Sequence, residues 1–384
     1  MRRLASGATA CMLAFVAFAP RDGFAHAATS NTVLFNREIV RILNEHCVMC
    51  HASGGPSFPL ESYEETWVRR RAIHDSVLAG SMPVWAAVSG YGEFLNSNAL
   101  TLREKRFLVS WVEGLGPRNA GEVFFNVLDP GVGRPPAARA EPDFDVWQIG
   151  DPDVQIDLPG ARIEPATPTL VVRTEFDTEF VQSRSVAAIE FVPADRRFIR
   201  AAWFFAEDSG RWLGSWTPWH GFSRLPEGFA WQLEPGERIV AEVHYVSSQA
   251  EQLAEQGTLG LHFARGLTRE PRGLLLEAHA EPLGNGEARR YYAETTLVSD
   301  SRILALRPEI VSGVASVEVA ARTPDGGTEI LLLAIDVAAD WPTPYVFAAP
   351  VSLPQGTRLS LVVYYGETGA AAPETLILDV RHAE

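Results

Sequence analysis

A small all-α domain followed by an all-β double sandwich, two antiparallel jelly-roll-like domains, is the fold class the sequence predicts. Three observations carry it. Apolar residues recur at helical spacing only between residues 32 and 116. A stretch dense in proline and glycine follows at 117–142. From there to the end, short β-branched and aromatic runs are bounded by Gly, Pro, Asp and Ser. A chain of 384 residues has room for two or three such domains, and 46% hydrophobic with 21% charged residues is an ordinary globular composition.

Residues 1–27 read as a secretory signal. Arg2 and Arg3 are a positive n-region, Ala8 to Ala19 is apolar but short for a bilayer, and Ala25-His26-Ala27 is the small-x-small pattern before a cleavage point. The competing reading is an uncleaved anchor. No later stretch has about 18 consecutive apolar residues, so no transmembrane segment is expected after the signal. In the helical region, Val33, Ile39, Ile42 and Leu43 lead into Cys47, Thr66–Leu78 carries a second helix, and Thr101 with Glu104 caps a third that stops at Gly114 and Gly116.

Ten strands are expected beyond the linker: Leu170–Phe176, Val186–Phe191, Ile199–Phe205, Ile239–Val246, Leu259–Ala264, Leu274–Ala278, Tyr291–Leu297, Val314–Ala321, Ile330–Ile335 and Leu359–Tyr365. A divide near 270 splits them into a first β-sandwich at 143–270 and a second at 271–384. A formal net charge of −15 argues against a nucleic-acid partner, whose phosphates need clustered Lys and Arg. Of three cysteines, Cys11 leaves with the signal. A chain left with only Cys47 and Cys50 has no disulfide framework.

The chemistry concentrates in Cys47-Val48-Met49-Cys50-His51. Two thiols three apart at a helix end lie on one face, where each can add across a haem vinyl group, and the following imidazole is placed to ligate the iron. A thioredoxin-like motif would follow a strand, and a structural zinc site would want four ligands. The expected cofactor is therefore covalent haem c, and residues 32–116 form a small cytochrome c domain. For the sixth ligand, Met1 and Met12 lie in the signal and Met49 inside the motif, which leaves Met82 in Ser81-Met82-Pro83-Val84-Trp85. His46, His74 or an open position are the alternatives.

Residues 32–116 resemble the cytochrome c domain found fused to bacterial copper type II, ascorbate-dependent monooxygenase-like proteins. The helix into Cys47–His51, Pro59-Leu60 to Tyr63, Met82-Pro83-x-Trp85 and Ser110-Trp111-Val112 carry the likeness. Residues 143–384 look like the partner half, similar to peptidylglycine hydroxylating monooxygenase. The carrying stretches are Trp147–Asp153, Leu225-Pro226-Glu227-Gly228, Pro235-Gly236 and Val243-His244-Tyr245, with weaker support from Pro324-Asp325-Gly326 and Leu353-Pro354-x-Gly356. That family implies two coppers on five histidines and a methionine. Here Arg200-Ala201-Ala202-Trp203 stands where the paired histidines belong, Pro308-Glu309-Ile310-Val311 where His-x-His belongs, and only His244 matches a copper ligand.

The residues agree: His220, His244, His262, His279 and His382 are never adjacent or two apart. His244 and His262 could meet only across neighbouring strands, and His262 is expected to face solvent. Copper is not expected. Trp203, Phe204, Phe205, Trp212, Trp216, Trp219, Phe222 and Trp231 read as sandwich core, or as a docking surface through which the chain joins a complex. The functional expectation is a periplasmic or secreted cytochrome serving a redox partner protein, with the β region docking or scaffolding. A copper monooxygenase fed by its cytochrome and a haem-based sensor are the alternatives.

Overall fold

The computed structural model describes residues 32–54, 57–119, 146–163, 169–246, 252–254, 257–282, 289–366 and 372–384. The expected signal at 1–27, with Cys11 and Met12, and most of the expected linker lie outside them. Among the described residues no helix is long and apolar enough to cross a membrane.

The N-terminal unit is helical. A π-helical turn, Phe35–Ile39, runs into α1 (Val40–His46), followed by α2 (Tyr63–Ala79) and α3 (Leu102–Glu113). Two capping boxes set the starts of the longer helices. Ser62 and Glu65 close the first turn of α2, and Thr101 and Glu104 that of α3. The first box moves the start of α2 three residues ahead of the expected Thr66. Gly80, at φ +73°, ends α2 in the left-handed conformation that a Cβ disfavours. Ile39, Leu43, Leu108 and Trp111 are fully buried between the helices. The expected linker does not open at 117: Pro117 O accepts from Phe35 N and Trp111 Nε1, both at 3.0 Å, which ties this segment to the helical core.

The rest is β. The first region holds β1 (Val154–Leu158), β2 (Ala161–Ile163), β3 (Thr169–Asp177), β4 (Arg184–Pro193), β5 (Ile199–Ala206), β6 (Trp212–Trp216), β7 (Phe222–Arg224), β8 (Trp231–Leu233), β9 (Arg238–Val246), β10 (Gln252–Ala254) and β11 (Gly257–Phe263). Its two main sheets, β1-β11-β4-β7 (with β8 also on β4) and β3-β9-β5-β6, are antiparallel. They share a core of Phe191, Phe204, Trp216, Tyr245 and Leu259, all at most 2% exposed.

The second region holds β12 (Arg272–Pro282), β13 (Arg289–Thr296), β14 (Ser301–Pro308), β15 (Val314–Arg322), β16 (Thr328–Ile335), β17 (Tyr345–Leu353), β18 (Arg358–Tyr365) and β19 (Thr375–Ala383). All eight belong to one antiparallel sheet in the order β16-β15-β18-β13-β12-β19-β14-β17, not to two separate sheets. One core joins residues from strands across that order, among them Leu332, Val317, Leu361, Tyr291, Leu378 and Tyr345, so the sheet must curl over its own apolar face. The divide near 270 falls between β11 and β12. The unpredicted β6, β14, β17 and β19 supply Trp216, Leu306, Tyr345 and Leu378 to these cores.

The two β regions meet through Trp203, Trp212 and Ala305, with Phe205 and Val346 packed against them. Arg381 of β19 is buried there. Its guanidinium lies 4.0 Å from the Trp212 ring and 4.8 Å from Trp231, and Nη2 donates to Trp212 O at 2.6 Å. Burial pulls its pKa down to about 9, with nearby Arg307 pushing the same way and Asp379 opposing. It therefore stays cationic at neutral pH, stabilised by aromatic faces and a carbonyl.

Candidate functional site

α1 ends at His46, and Cys47 to Cys50 form the turn that follows. Cys47 N donates to Leu43 O at 2.8 Å and His51 N to Cys47 O at 2.9 Å, so the helix's hydrogen bonding carries on through the motif. Val48 and Met49 point into buried surroundings. Cys47 and Cys50 are free thiols. Burial pushes Cys47 up to about 12, helped by its neighbour Cys50. Burial pushes Cys50 up to about 11, while the guanidiniums of Arg196 and Arg200 pull the other way. Both thiols are therefore neutral at physiological pH.

His51 settles its own tautomer. Its Nδ1 lies 2.9 Å from Phe58 O, an oxygen that can only accept, so Nδ1 carries the proton and Nε2 keeps its lone pair. The ring packs 4.8 Å from Phe58. Burial lowers its pKa, partly offset by that hydrogen bond. A neutral imidazole held through one nitrogen with the other available is what a metal-ligating histidine requires. Two reduced thiols and this imidazole thus fit covalently held haem.

Met82 lies on the loop leaving α2, its side chain 41% exposed and its N–H 3.4 Å from Ser76 O. The alternative ligands are engaged elsewhere. His46 Nδ1 meets Asn98 Oδ1 at 3.1 Å and its Nε2 is 3.6 Å from Glu104. His74 Nδ1 meets Asp75 Oδ1 at 2.9 Å.

The β region contributes to the neighbourhood of the motif, which the sequence did not signal. Arg200, where the family resemblance places paired histidines, bonds the Asp340 carboxylate and lies 5.1 Å from the Trp341 ring. Its buried Nε has no hydrogen-bond partner. His244 pairs in register with Ala201, and its Nε2 bonds Glu242 Oε1 at 3.0 Å. That bond holds the Glu242 carboxyl below the usual range. Glu309 is spent on the backbone of β19: Ile377 N donates to its Oε2 at 3.1 Å. Among the described residues, the group of three His, Cys, Asp or Glu side chains close enough to share an ion is Glu45, His46 and Glu104, far in sequence from His244.

Two expectations need correction. His244 and His262 cannot meet on neighbouring strands, because β9 and β11 belong to opposite sheets of the first sandwich. His262 does not face open solvent either; its side chain is 15% exposed and its Nε2 lies 3.6 Å from the buried carboxylate of Glu190. Of the eight rings singled out between 203 and 231 none is exposed, and Trp203, Phe204, Trp212, Trp216 and Trp231 are buried, as the core reading expects. Alternation along β5 sends Phe204 into the first core and Trp203 toward the second region, so both faces are covered. Trp219 docks within the chain, donating Nε1–H to Asn96 O at 2.9 Å.

No family model matches the chain, and no curated protein matches it. Solved structures with similarity include a β-porphyranase of glycoside hydrolase family 86 from the human gut bacterium Bacteroides plebeius. It is 9% identical over 59% of this chain and 37% of that one, with a TM-score of 0.15. Vicilin from Solanum melongena is 8% identical over 58% and 72%, with a TM-score of 0.13. This chain thus covers well under half of the porphyranase, and TM-scores this low carry no argument about fold or function.

Proposed function

We propose that the chain is an exported c-type cytochrome that transfers electrons to or from a redox partner protein, with its β region acting as scaffold. The observation that carries this is His51, which follows two free thiols and holds its Nδ1 proton on Phe58 O. Cys47 and Cys50 would each add S–H across a haem vinyl, the sulfur bonding one carbon and the proton going to the other, with no oxidant needed. His51 Nε2 would take one axial position and the Met82 thioether the other. Bound haem supplies a one-electron ferric/ferrous couple, whose potential a thioether ligand raises. The likeness to copper type II monooxygenases remains part of this reading for the β scaffold alone, since His244 is committed to Glu242.

The test is a haem stain after denaturing electrophoresis. Pigment should stay on the wild-type band and leave it in Cys47→Ser/Cys50→Ser. Haem that extracts from the native protein into acidified organic solvent would overturn the reading.

A further inference from the structure

Between α2 and α3 the helical unit sends out a loop that neither helix needs. Ile335 N donates to Ala86 O at 3.0 Å and Val88 N to Leu333 O at 2.7 Å, which lays residues 86–88 along β16. The chain then reverses at Gly90–Gly92. Ala348 N donates to Glu93 O at 2.8 Å and Leu95 N to Val346 O at 2.7 Å, which lays residues 93–95 along β17. β16 and β17 are the first and last strands of the eight-stranded sheet. One short loop of the helical unit therefore covers both open edges of the second β region. Unpaired edges invite unwanted pairing, so covering them matters to the sheet as well.

The side chains lock this arrangement. Asn96 is buried; its Nδ2 donates to Pro344 O at 2.7 Å and its Oδ1 accepts from Val346 N at 3.0 Å. Trp85 packs 5.4 Å from Tyr345, and Phe94 packs 5.1 Å from Phe347. Gly92 is irreplaceable on two counts: its φ is +81°, and a Cβ there would lie 2.4 Å from Leu331 O. Met82 sits between two fixed points. Behind it, Ser81 N holds Ser76 O at 3.0 Å at the end of α2; ahead of it, Trp85 and Ala86 are already on the second β region. A cleft of about 300 Å³ lies beside this stretch, with Gly80, Ser81 and Val84 on one wall and Trp341 and Tyr345 on the other.

We propose that this bridge makes the second β region the support of the Met82 loop, with Gly92 and Asn96 as positioning residues that hold the thioether for the haem iron. The proposal rests on Met82 being the axial ligand. A ligand donated from a loop is only as well placed as its supports, and here those supports are strands outside the helical unit. The β region then tunes the haem through the loop that carries Met82.

The test uses the full-length holoprotein. Gly92→Ala strains the bridge, and Asn96→Ala is the milder second variant, removing two hydrogen bonds and leaving the backbone pairing in place. Leu276→Ala, in the core of the second region on β12, in the middle of the sheet and not on either strand the bridge pairs with, is the control for destabilisation alone. Both bridge variants should keep stained covalent haem, lose at least half of the long-wavelength ferric absorption that marks a sulfur ligand, and bind added imidazole at least tenfold more tightly. Their midpoint potential should fall by a tenfold change in the reduction equilibrium, about 59 mV for one electron. The control should match wild type. Bridge variants with wild-type absorption, potential and imidazole affinity would overturn the proposal. A wild type that lacks the sulfur absorption despite covalent haem would remove the Met82 assignment and the proposal with it, while haem absent from every band would instead sink the cytochrome reading.

Discussion

Acidification should weaken the first sandwich through His220. This residue closes the tight turn between β6 and β7, where Thr217 and His220 exchange backbone hydrogen bonds, both at 3.0 Å. Its ring packs 4.7 Å from that of Phe222. Burial pushes its pKa from 6.5 down to about 4, against a smaller opposing pull from a backbone hydrogen bond with Phe222. A histidine lowered in the folded state binds fewer protons folded than unfolded between those two values, so folding loses stability as pH falls. The contribution is complete above about pH 6.5, declines by roughly 1.36 kcal/mol per pH unit, and is gone below about pH 4. The whole effect is about 3 kcal/mol. Other groups titrate in the same window, so the measurement is a difference. Urea unfolding of wild type and His220→Gln, followed by tryptophan fluorescence, is compared at pH 7.5 and pH 4.5. Wild type should lose about 2–3 kcal/mol more than the variant over that interval. Equal losses would refute the reasoning and place His220 in contact with water.

Trp111→Ala should destabilise the helical unit by about 3–5 kcal/mol, because it removes a fully buried ring from the centre of that core and leaves Pro117 O without its indole donor. Loss of far-ultraviolet helix signal on mild denaturation measures it, and a change under 1 kcal/mol would contradict the packing described. Protein loaded with excess copper and then dialysed should retain well under one copper per chain by elemental analysis. His244 is bonded to Glu242, and the strand position opposite it carries Ala201. Two tightly held coppers would make a monooxygenase the better reading.

The sequence by itself determined the local chemistry and the local structure. Cys47, Cys50 and His51 sit next to one another in the chain, so their spacing on a helix end could be read without knowing anything distant. The Thr101–Glu104 box and the alternating β-branched runs are equally local, which is why α3 and the ten expected strands match observed elements. Strands such as β14 and β19 escaped notice because charged residues interrupt them. Arg307, Asp379 and Arg381 are tolerated there only because the fold brings them to one another and to Trp203 and Trp212.

Tertiary structure alone decided everything that depends on residues far apart in sequence. It set His244 and His262 in opposite sheets, turned the Trp-rich stretch inward, and put Arg200 beside Trp341. It also joined Asn96 to Pro344 and Val346, a pairing with no periodic signature because polar loop residues follow none. Hydrophobic periodicity records which side of an element is buried, but not what it is buried against. The partner of each face, and so the support under Met82, is fixed by how the eight-stranded sheet curls and where its two edges end.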